Sequence, residues 1–125
     1  MTIHPLLSYA LKNGLHLECL DHSKKIAADR WYVSVWVQIA IPVEKKWFVG
    51  ISVDAEKFQQ IRHALGKTVI FRQKNERNFV SDDQKERIVQ DICDRVAQVG
   101  MKYFSHDDFA AKYILKCFKD RQNRR

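Results

Sequence analysis

Eleven residues constrain the fold more than any others. From 31 to 41, Trp31, Val33, Val35, Val37, Ile39 and Ile41 share one parity, and Tyr32, Ser34, Trp36, Gln38 and Ala40 share the other. Strand side chains alternate between two faces, so a period of two this long, rich in β-branched residues, predicts a strand with one face in a core. Pro42 ends it, because proline has no N–H for a ladder.

Shorter alternations flank this strand. After the Asn13-Gly14 turn signal, Leu15, Leu17 and Cys19 oppose His16, Glu18 and His22, which predicts a strand over 15–22. Trp47, Val49, Ile51 and Val53 alternate with Phe48, Gly50 and Ser52, which predicts another after a turn at 43–46. Placing Ile41 opposite Trp47 and Leu17 opposite Val35 puts every apolar residue on one side, giving a three-stranded antiparallel meander. In that register His16 faces Trp36 and Leu20 faces Tyr32.

Helical signals follow. Asp54 reads as an N-cap for a helix carrying Phe58, Ile61 and Leu65, and Gly66 as its stop. Residues 67–77 read as a strand with Val69 and Phe71 inward and Thr68, Ile70, Arg72 and Lys74 outward. Ser81–Gln84 reads as a capping box before an apolar stripe running from Ile88 to Val99 and closed by Gly100. Ser105–Asp108 reads the same way before a last helix with Phe109, Tyr113, Ile114, Cys117 and Phe118 buried. The order strand-strand-strand-helix-strand-helix-helix predicts an α+β domain: a mostly antiparallel sheet with helices on one face.

At 125 residues, with 46% hydrophobic side chains and only 4 Gly and 2 Pro, residues 1–125 read as one self-sufficient domain. Disordered and collagen-like classes are excluded. No apolar run reaches the ~18 residues of a membrane span. The N-terminus lacks a basic leader and cleavage site, so it is expected in the mature protein. The cysteines, Cys19, Cys93 and Cys117, are odd in number, widely spaced and each on an apolar stripe. They read as buried thiols in a cytoplasmic protein.

The face opposite the core is the leading candidate site. It would carry His16, Glu18, Leu20, His22, Tyr32, Trp36 and Phe48, a group too aromatic for a plainly solvated surface. A cover from this chain (Pro5–Leu11 or the last helix), a second copy, or a ligand would each account for it. His16, Glu18 and His22 do not make a metal site, since strand geometry separates the two histidines by ~20 Å. No pattern calls for a cofactor. Asp29-Arg30-Trp31 and Asn75–Phe79 mix acid, base and aromatic at strand ends.

Charge supplies the other candidate. Lys plus Arg number 22 against 15 acids, a net charge of +7. Lys67, Arg72, Lys74 and Arg77 cluster on one strand, and Arg121, Arg124 and Arg125 end a basic tail expected to be mobile from about residue 119. These are possible nucleic-acid contacts, though no zinc-finger spacing, phosphate loop or RNA-binding aromatic pattern accompanies them. Three functions follow. The leading one is a non-enzymatic interaction or regulatory module, homodimeric through the aromatic face. The others are a nucleic-acid binder and a small enzyme with a polar pocket at that face.

Overall fold

The computed structural model describes residues 5–123. Its elements are β1 (Pro5–Ala10), β2 (His16–Asp21), β3 (Lys24–Ala27), β4 (Arg30–Pro42), α1 (Ala55–Leu65), β5 (Thr68–Ser81), α2 (Lys85–Val99) and α3 (Phe109–Gln122). A single 3-10 turn, Lys45–Phe48, precedes α1, and a π-helical turn, Gly100–Phe104, follows α2. The architecture is α+β: one antiparallel five-stranded sheet with three helices.

The 31–41 alternation is the centre of the molecule. β4 pairs with β2 through Leu17↔Ile39 and Cys19↔Val37, then with β3 through Lys24↔Tyr32. Its other edge pairs with β5 from Arg30↔Ser81 to Pro42↔Thr68. β1 extends the sheet outside β2. Val33, Val35, Val37, Ile39 and Ile41 are fully buried with Leu17 and Cys19, in one cluster with Phe58, Ile61, Val89, Ile92, Val96 and Ile114 of the helices. α2 packs on β4 and β5, α3 on β5, and α1 on α3.

Several sequence expectations are corrected. Residues 47–53 are not a strand. The edge of β4 that they were expected to take belongs to β5, whose long register buries Val69 and, in part, Phe71 beside Ile41 and Ile39. The 3-10 turn instead places Phe48 in the core against Phe58, ring centroids 6.0 Å apart. Trp47 Nε1 donates to the Pro42 carbonyl at 2.8 Å, and Val49 is 85% exposed. The β2–β4 register keeps the expected parity but lies four residues along β4, with Leu17 on Ile39 rather than Val35. The β3 segment holds the other end, taking Tyr32. Residues Pro5–Ala10 form an edge strand, not a cover.

The capping signals fare unevenly. Asp54 does cap α1, accepting Lys57 N–H at 2.7 Å. Gly66, with φ 82°, ends it by donating to the Arg62 carbonyl. Ser81 caps nothing, because β5 runs through it and α2 starts at Lys85. Gly100 does not stop α2: its backbone stays helical and enters the π turn. At α3 the Asp108 side chain makes no cap; its N–H donates to His106 Nδ1 at 3.2 Å. Residues 119–122, expected in a tail, form the last turn of α3.

An ion pair latches α2 to the sheet. Lys85 Nζ lies 3.1 Å from Asp21 Oδ2 and 4.7 Å from the Trp31 ring centroid. Burial opposes the Asp21 charge, yet Ser23 and Lys85 together hold its pKa below the ordinary 3.8. Burial also opposes the Lys85 charge, and Asp21 and Glu86 hold its pKa above 10.5. The Asp21 contribution to stability is therefore present above 3.8 and lost as pH falls through its lowered value. The Lys85 contribution is present below 10.5 and lost as pH rises through its raised value. Lys85→Met is expected to cost about 1–3 kcal/mol between these limits. Denaturant unfolding near neutrality and in acid tests this; a variant whose deficit does not shrink in acid contradicts it.

Candidate functional site

The sheet face away from the helices is built by the even-numbered residues of β2, β4 and β5. Cross-strand pairing sets Leu20 beside Trp36 and Trp36 beside Lys74; the next rows are Glu18, Gln38 and Arg72, then Ser34 and Glu76. β2 and β3 form one interrupted strand. The Asp21 carboxylate accepts Ser23 N–H at 2.9 Å, and the pairing register with β4 continues through the interruption, with His22 N–H donating to the Ser34 carbonyl. His22 therefore falls on the Trp36 side, where the rings stack with centroids 3.8 Å apart and planes 19° apart.

Trp36 is therefore a pillar held on several sides. Its Nε1 donates to Ser34 Oγ at 2.9 Å. Lys74 Nζ and the Arg72 guanidinium carbon lie 4.6 and 5.1 Å from its ring centroid, within cation–π range. Arg72 also donates through Nε and Nη2 to Gln38 Oε1, at 3.2 and 3.0 Å. Neither Arg72 nor Lys74 has a carboxylate partner within 4 Å among the described residues. Tyr32 donates its hydroxyl to the Glu76 carboxylate. That hydrogen bond pushes the phenol pKa up and engages one of the face's acids.

The sequence-predicted face thus assembles in part. Glu18, Leu20, His22, Tyr32 and Trp36 lie on it, with His22 on Trp36 itself. His16 is exposed at the far end of β2, beside Ala10 of β1 and away from Trp36. Phe48 does not belong to it, being in the core.

The predicted basic set is dispersed. Arg72 and Lys74 are on the face. Lys67 is exposed just before β5. Arg77 sits opposite inward-facing Val33, at a bulge where Phe79 takes a left-handed φ of 54° with its ring 75% exposed. Arg121 is exposed in the last turn of α3. Arg124 and Arg125 lie outside the described residues.

The two strand-end clusters do not come together: Asp29–Trp31 meets Asp82 instead of Asn75–Phe79. Asp82 N–H donates to the Asp29 carbonyl at 3.0 Å, Trp31 Nε1 donates to Asp82 Oδ1 at 2.6 Å, and Arg77 donates to the adjacent Glu76 carbonyl. Local pairing uses these groups up. Burial, followed by the Cys93 thiol, raises the Cys19 pKa to about 12, so this thiol stays protonated. Among the described residues no three of His, Cys, Asp and Glu converge as metal ligands, and no helix is long and apolar enough to cross a membrane.

The joining of Arg72 and Lys74 to Trp36 is what sequence reasoning missed. It follows from the β4–β5 register, and the inward pair Val69 and Phe71 carried the signal, since they match Ile41 and Ile39. No family model matches the chain, and neither the curated proteins nor the solved structures contain a match to it.

Proposed function

We propose that the protein is a non-enzymatic interaction module that binds single-stranded nucleic acid on its open sheet face. One observation carries this reading: Arg72 and Lys74, without a carboxylate partner within 4 Å among the described residues, flank a half-buried tryptophan, stacked by His22, on a sheet face against which no described helix packs. Cations beside an aromatic ring are the two elements such binding combines, one for phosphates and one for bases. The net charge of +7 favours the same class of partner.

The test is the anisotropy of a dye-labelled single-stranded oligonucleotide as the protein is added at several salt concentrations. Neutralising two phosphates predicts a log–log salt slope of about −1.4, and further contacts a steeper one. No binding at low salt refutes the reading.

Self-association through the same face is the second reading. It rests on Leu20, Trp36 and Ile70, the last 42% exposed opposite Ala40. A solution mass that rises with concentration, and returns to the monomer value in Trp36→Glu, supports it. A monomer at every concentration removes it.

A further inference from the structure

The helix side of the sheet holds a half-open cavity of about 430 Å³ that plays no part in the proposed interface. Its floor and walls are aromatic. Phe71 of β5 lies 5.4 Å from Phe109 and 5.2 Å from Tyr113, both edge to face, and Tyr103 stands 6.0 Å from Phe109. The rim is basic: Lys102, Lys112 and Lys116 border it. Asp108 is the one carboxylate there, and Lys112 already pairs with it at 4.0 Å. Lys102 and Lys116 have no acidic partner within 4 Å among the described residues.

The wall is ordered by specific contacts. The π turn widens the backbone where Lys102 and Tyr103 lie, and such turns concentrate at functional sites. Its last carbonyl, on Phe104, accepts the Asn13 side-chain amide at 2.8 Å, which ties the turn to the β1–β2 connection. Tyr113 donates its hydroxyl to the Ile70 carbonyl at 3.1 Å. Burial, then Cys117, raises its pKa to about 12, so it stays a neutral donor. His106 Nδ1 lies 3.2 Å from the Asp108 backbone N and 3.9 Å from the Asp108 carboxylate. Three lysines supply positive charge at the rim.

We propose that this cavity is a binding site for a small aromatic anion, a flat ring bearing a carboxylate or a phosphate. The ring lies among Phe71, Tyr103, Phe109 and Tyr113, and the anionic group meets Lys102 and Lys116. The volume is in the range of ligand sites, ~300–1,000 Å³, and the lining follows their usual pattern, apolar walls with a few polar groups at the mouth. Charge complementarity selects the anion: a neutral ring would leave two lysines uncompensated at the mouth.

The experiment titrates the protein with phenyl phosphate, benzoate and the neutral analogue benzyl alcohol, following backbone amide chemical shifts. Expected are shifts confined to the π turn, the first half of α3 and the strand around Phe71. At least one anion should bind about tenfold more tightly than the alcohol. The tighter anion identifies the headgroup. Lys102→Glu combined with Lys116→Glu changes only exposed positions and should abolish the preference for the anion while the rest of the spectrum is retained. No shifts at millimolar ligand, equal binding of the alcohol, or an undiminished preference in the double variant overturns the proposal. The open sheet face is on the other side of the molecule, so oligonucleotide binding is unaffected by either result.

Discussion

Reversing Arg72 and Lys74 together to glutamate is expected to eliminate single-stranded oligonucleotide binding while the protein stays folded. Both side chains are exposed on β5. Their removal takes from Trp36 two cation–π contacts, each worth ~0.5–1 kcal/mol at an exposed site. Arg72 also loses its fork to Gln38. A stability loss of about 2 kcal/mol or less is the expected cost. The functional loss is much larger, because two attractions for phosphate become repulsions beside the stacking ring.

The control is Lys57→Glu with Lys119→Glu, which makes the same change in net charge on exposed positions of α1 and α3. Anisotropy should show binding retained in the control and absent in the β5 variant. Equal weakening in both would mean that net charge, and not this face, governs the interaction.

The largest loss of stability is expected at Ile39. Its side chain is fully buried between β2 and β5, opposite Leu17 and Phe71. Ile39→Ala removes transfer energy and leaves a cavity, costing about 2–5 kcal/mol, a large share of the ~5–15 kcal/mol that holds a domain together. Val49→Ala should change stability by less than ~0.5 kcal/mol, since that side chain is 85% exposed. The pair separates two folds. Had 47–53 been a strand in register with β4, Val49 would face Ile39 and both truncations would be costly. Urea unfolding of the two variants gives the answer, and a loss at Val49 approaching that at Ile39 would contradict the observed topology.

What the sequence made legible was parity, and what it hid was partnership. The alternation of 31–41 told which side chains enter the core, and the structure buries those from Val33 to Ile41 completely. It did not tell which segment takes the second edge of β4. The candidates Trp47–Val53 and Val69–Phe71 both offer inward apolar residues at period two. The longer ladder, to β5, takes the edge.

The same ambiguity shifted β2 by four residues along β4 without altering which face each side chain is on. Hence Leu20, His22, Tyr32 and Trp36 were placed together from sequence, whereas the cations that flank Trp36 came from a strand whose neighbour in the sheet was not assigned. Ser81 and Ser105–Asp108 show a different limit. Their residue types suit a helix cap, but β5 extends through Ser81 and the π turn runs into Ser105. The ring cluster of the cavity was invisible for a similar reason: Phe71, Tyr103 and Phe109 come from three elements, brought together by the packing of α3 on β5 and by the π turn.

The ladder between β4 and β5 also bears on how the chain is made. Its two strands are separated by the 3-10 turn and all of α1, so β4 leaves the ribosome well before its partner. Until Thr68–Ser81 follows, the strand richest in valine and isoleucine has only β2 and β3 beside it, and one bare edge able to pair with any other extended chain. An unpaired edge of this kind is where a growing chain risks misassembly, and here the risk falls in the interval between β4 and β5.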